Sequence, residues 1–85
     1  MTDITIQILE VINSRDHYDD GINQTKLMSK LSLSHEQMKE YLVLLIENDL
    51  VSYDPTAHTF KATEKGLTFI QGYNQIDKIL KQQQT

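Results

Sequence analysis

The stretch NQTKLMSKLSLSHEQMKEYLVLLIENDLVSYDPTAHTFKATEKG, from Asn23 to Gly66, decides how this chain folds. It opens on Asn23, a residue suited to an N-cap, ahead of Leu27, Met28 and Leu31 at helical spacing. That predicts a short helix over 24–31 with those three residues as its buried stripe. Leu31-Ser32-Leu33 reads as a tight turn. Ser34 followed three residues later by Gln37 matches a capping box and predicts a second, longer helix. Met38, Tyr41, Leu42, Leu45 and Ile46 continue it at helical spacing until Asn48-Asp49 ends it. Residues 50–53 and 59–62 then read as strands joined by the turn Asp54-Pro55-Thr56-Ala57-His58, in which Pro55 pre-sets φ. Alternation places Val51, Tyr53 and Phe60 on an inner face and Ser52, Thr59 and Lys61 on the outer one. Thr63 caps a further helix.

Working outward, Ile4, Ile8, Val11 and Ile12 predict one apolar face of an N-terminal helix, capped by Thr2 or Asp3. The polar run Asn13–Gly21 reads as a loop, and Ile22 as a short strand edge. Beyond Thr63 the last helix carries two apolar stripes. Leu67 and Ile70 are placed to pack on the domain, while Phe69, Tyr73, Ile76 and Leu80 are spaced 4-3-4 as a short heptad seam. Two stripes imply two packing partners, the domain itself and a second subunit. Gly72 and Asn74 weaken this helix and predict a kink or an early end; the tail after Lys81 is expected to fray. The fold class is α+β and mostly helical, in the order helix, helix, helix, strand, strand, helix. The expected organisation is one helix-and-hairpin domain over 1–63, the hairpin its wing, and a C-terminal dimerisation helix over 64–85.

The chain has 85 residues, enough for one small domain of marginal stability. It has no cysteine, and His17, His35 and His58 are scattered, so disulfides and a metal site are not expected. Oligomerisation is then the natural supplement to a small core. No apolar run approaches the roughly 20 residues of a membrane span, and no basic segment precedes an apolar one at the N-terminus. A cytoplasmic protein without membrane contact is the expectation. Net charge is −4. The acidity is concentrated in residues 1–21, where Asp3, Glu10, Asp16, Asp19 and Asp20 face Arg15 alone, while residues 22–66 are close to neutral. Salt screens charges beyond about 8–10 Å, so an acidic protein can still present one positive face.

No phosphate loop, nucleophile elbow or His-x-x-x-His pair is present. The reading is non-enzymatic, without catalytic residues or cofactors. Two helices joined by a tight turn and followed by a hairpin form a helix-turn-helix with a wing, suited to lying on a DNA duplex. In that geometry the start of the second helix enters the major groove and the first crosses the backbone. The candidate contacts are Ser34, His35, Glu36 and Lys39 on the recognition helix, and Gln24, Thr25, Lys26 and Lys30 on the helix before it. On the wing they are His58 and Lys61. Lys39 and His35 can donate to guanine or phosphate; Lys39 reads equally as a solvated surface lysine. Glu36 either accepts from a cytosine N4 or complements the helix dipole. Lys26 and Lys30 share one face and suit phosphate contacts, which position without specifying.

The runs Gly21–Met28, Leu33–Leu50 and Phe60–Leu67, continued by Phe69, Ile70 and Tyr73, resemble the small archaeal winged-helix DNA-binding proteins. The resemblance covers nearly the whole chain. It implies a winged helix that regulates transcription, binds double-stranded DNA and dimerises through the last helix, with DNA contacts at Thr25, Lys26, Ser34, His35, Lys39 and the wing. Here Glu36 and Glu40 lie on that face and arginine is absent from it. A winged helix serving as a protein-interaction module without DNA is the alternative, because one fold supports both uses.

Overall fold

The computed structural model describes residues 4–14 and 20–82. Its elements are α1 (Ile4–Ile12), α2 (Gln24–Leu31), α3 (His35–Glu47), β1 (Val51–Asp54), β2 (Thr59–Ala62) and α4 (Glu64–Gln82). The expected caps of α1, Thr2 and Asp3, lie outside the described residues.

Local chemistry sets the element boundaries. Asn23 Oδ1 accepts from the Lys26 N–H at 2.8 Å and starts α2. Ser32, in the left-handed region at φ 55°, closes α2 by donating its N–H to the Met28 carbonyl. The capping box of α3 is present in both directions. Ser34 Oγ accepts from the Gln37 N–H, and Gln37 Oε1 accepts from the Ser34 N–H, each at 3.2 Å. At its far end the Leu50 N–H donates to the Leu45 carbonyl and the Asp49 N–H to the Ile46 carbonyl, the two bonds of a Schellman motif. Asp49 takes the left-handed position there, at φ 59°, where glycine is usual.

The hairpin pairs Val51 with Ala62, Ser52 with Lys61, Tyr53 with Phe60 and Asp54 with Thr59. Tyr53 and Phe60 form a cross-strand ring pair at 4.9 Å. In the turn, Asp54 Oδ1 accepts from the N–H groups of Thr56 and Ala57. Ile22 exchanges both backbone bonds with Phe60 and so adds the expected strand edge. Because Gly21 and Ile22 run beside β2, Thr59 is half-buried rather than turned out to water. β1 begins and ends one residue later than the sequence pattern predicts.

The core gathers residues of every element, with Leu27, Met38, Leu42, Leu45 and Val51 at its centre and Ile70 contributed by α4. Four further expectations need correction. α1 buries Ile6, Ile8, Leu9 and Ile12, leaving Ile4 and Val11 half-buried, because α2, α4 and β2 pack around it and no single stripe suffices. Of the α2 stripe only Leu27 is fully buried; Met28 and Leu31 sit at the margin of the core. Ile46 is 40 % exposed, since it lies on the flank of α3 that turns toward the hairpin. Gly72 does not end α4, which runs as one helix to Gln82.

Each residue of Thr63-Glu64-Lys65-Gly66 has a role where α4 meets the end of α3. Thr63 Oγ1 accepts from the Gly66 N–H at 2.9 Å and donates to the Asp49 carbonyl. Lys65 Nζ donates to the Asn48 carbonyl at 3.1 Å, and Glu64 lies in the first turn, where an acid complements the dipole. Gly66 is buried against the Leu50 carbonyl, leaving no room for a Cβ. The hairpin is thereby held at a fixed angle to α3.

Candidate nucleic-acid interface

The hairpin and α3 enclose a groove of about 460 Å³ with the N-terminus of α2 at one end. Its walls are Asn23, Gln24 and Thr25 from α2; Lys39, Leu42, Val43 and Ile46 from α3; and Tyr53, His58 and Phe60 from the hairpin. Most of the lining surface is apolar. Tyr53 Oη and His58 Nδ1 are 2.9 Å apart across the mouth of the hairpin. His58 adopts a positive φ of 55°, which lets the chain return into β2. The amide nitrogen of Gln24 is buried and has no hydrogen-bond partner among the described residues.

Four of the sequence-predicted contacts, Gln24, Thr25, Lys39 and His58, are brought together by this groove. The others lie around it. Ser34 is exposed but spends its hydroxyl on the capping box. His35 and Glu36 are exposed on the first turn of α3, and Lys26 and Lys30 are exposed on α2. Lys61 is exposed opposite Ser52, on the face of the hairpin away from Tyr53 and Phe60. Its placement follows from strand alternation.

The exposed residues of α3 differ in whether they line the groove. Lys39, Val43 and Ile46, at i, i+4 and i+7, line the groove. Glu36, Glu40 and Glu47 are exposed and none of them lines the groove, although Glu40 and Glu47 stand at i−3 and i+4 from Val43. Glu36 and Lys39 are neighbours three apart on one exposed surface of α3, and of the two only Lys39 lines the groove. Val43 lies farther along the same side as Lys39, as its spacing predicts; what the sequence does not show is that it forms an apolar wall with Ile46 and Tyr53. This stripe runs beside the core stripe Met38-Leu42-Leu45, one residue further around the helix.

Among the described residues no group of three or more His, Cys, Asp or Glu is placed to hold a metal ion. No helix among them is long and apolar enough to cross a membrane.

The chain belongs to the winged helix-turn-helix family, whose model matches residues 1–81. The match takes in α1 through most of α4 as well as the helix-turn-helix and wing. No curated protein and no solved structure matches the chain. The family carries an association with DNA binding and a non-enzymatic fold.

Proposed function

We propose that this chain is a cytoplasmic transcriptional regulator of the small archaeal type, binding double-stranded DNA as a homodimer. The observation that carries the reading is the groove between α3 and the hairpin. It collects Lys39, Thr25, Gln24 and His58 along one approach, and no acid of α3 is among its lining residues. In this arrangement α3 enters the major groove and Lys39 reaches a phosphate or a guanine edge. Lys26, Lys30 and Lys61 supply phosphate contacts that fix position. The dimer seam is Phe69, Tyr73, Ile76 and Leu80 on α4. Three of these are exposed in the single chain, Ile76 at 60 % and Leu80 at 54 %.

Salt dependence is the test. Four lysines per subunit give a dimer about eight phosphate contacts. The slope of log affinity against log salt is then about −0.9 per contact neutralised. Lys39→Ala is expected to flatten it by roughly one unit per subunit.

The mostly apolar groove lining and the net charge of −4 favour a second reading, a winged helix that docks another protein. A chain that retains no duplex at low salt, even with Glu36→Gln and Glu40→Gln introduced together, belongs to this second class.

A further inference from the structure

The α3 stripe that faces the groove contains one cation and otherwise aliphatic side chains: Lys39, Leu42, Val43 and Ile46. Val43 is 44 % exposed, although it belongs to the wall of a groove. Apart from Lys39, the side chains that commonly read bases through paired hydrogen bonds are absent from this stripe. The single arginine of the chain is Arg15, remote in sequence from the recognition elements. The two amide side chains at the ends of α3 are committed to the helix itself. Gln37 accepts from the Ser34 N–H, and Asn48 Nδ2 donates to the Leu44 carbonyl at 2.8 Å.

An aliphatic surface has one complement on the major-groove edge, the C5-methyl group of thymine. A guanine or cytosine edge set against it would leave polar atoms without partners, which is costly once water is excluded. We infer that Val43 reads a thymine methyl, so that base selection by α3 rests on apolar contact while Lys39 anchors the helix one turn earlier. This inference rests on the DNA-binding reading above.

The experiment uses duplexes enriched from a random pool by the unmodified protein at low salt. Each thymine is then replaced in turn by deoxyuridine, which removes the methyl and leaves base pairing intact. One position per half-site is expected to lose roughly three- to fivefold in affinity, the magnitude of one buried methyl. In Val43→Ala, thymine and uracil duplexes are expected to bind equally at that position. Lys39→Ala is expected to weaken both duplexes alike and preserve their ratio. Binding that is unchanged by uracil at every position overturns the inference and leaves DNA binding intact. A thymine preference that persists in Val43→Ala also overturns it, because another residue is then the reader. Failure to retain any duplex removes this inference together with the reading it rests on. The thymine–uracil comparison on the unmodified protein does not depend on any variant folding.

Discussion

Gly66 and Gly72 stand six residues apart on α4 and illustrate how one residue type serves opposite ends. A Cβ on Gly66 would overlap the Leu50 carbonyl oxygen, which also accepts the Thr63 N–H. Neither partner is a flexible side-chain end, so relief requires moving the hairpin relative to α4. Gly66→Ala is expected to destabilise the fold by about 2 kcal/mol or more, despite the better helix propensity of alanine. A Cβ on Gly72 would meet nothing within 4 Å. Gly72→Ala is expected to stabilise by about 0.5–1 kcal/mol, through the entropy of the unfolded chain. Chemical denaturation of the two variants against the parent checks both signs. Equal shifts in the same direction would contradict this account of the α3–α4 junction.

At the scale of elements, α3 is determined at both ends by its own sequence. Its start is the reciprocal Ser34–Gln37 pair, and its end is the Schellman motif closed by Leu50. Ser34→Ala removes one cap bond and is expected to cost about 0.5–2 kcal/mol, seen as a lower denaturation midpoint. An unchanged midpoint would mean that the hydroxyl contributes nothing at this site. Such caps are legible in sequence because donor and acceptor lie three to five residues apart. α1 shows the converse. Six of its nine residues are Ile, Leu or Val, so several faces satisfy the same pattern. Which of them is buried depends on α2, α4 and β2. The exposure of Ile46 and Val43 has the same origin, since the position of the hairpin decides where the core of α3 stops and the groove begins.

At the scale of the whole molecule, α4 leads a double life. Its first half delivers Ile70 to the core; further along it carries Ile76, Ile79 and Leu80, all about half exposed or more. Apolar side chains recurring on an exposed helix favour a partner of matching shape, and a two-fold dimer supplies one. With Ile76→Asp and Leu80→Asp together, the chain is expected to sediment as a monomer and melt at lower temperature than the parent. A parent that already sediments as a monomer at high micromolar concentration would rule out this seam. For the proposed dimer on duplex DNA, two-fold symmetry would imply a palindromic site with half-sites about 34–36 Å apart, when consecutive major grooves are used.

Sequence alone determined the order of the elements, the caps of α2, α3 and α4, the shared face of Tyr53 and Phe60 and the family architecture. These depend on short-range hydrogen bonds and on periodicity, both of which are written locally. It also identified Gln24, Thr25, Lys39 and His58 as residues of interest, but not that the four share one groove. Tertiary structure decided the rest. The clamp of Thr63, Lys65 and Gly66 on the end of α3 sets the angle of the hairpin. That angle creates the groove, exposes Val43 and Ile46 within it, and leaves Glu36 and Glu40 outside it. The physical reason is that a helix carries several stripes of residues at once, and only the elements packed against it choose which stripe becomes core, which becomes site and which meets water.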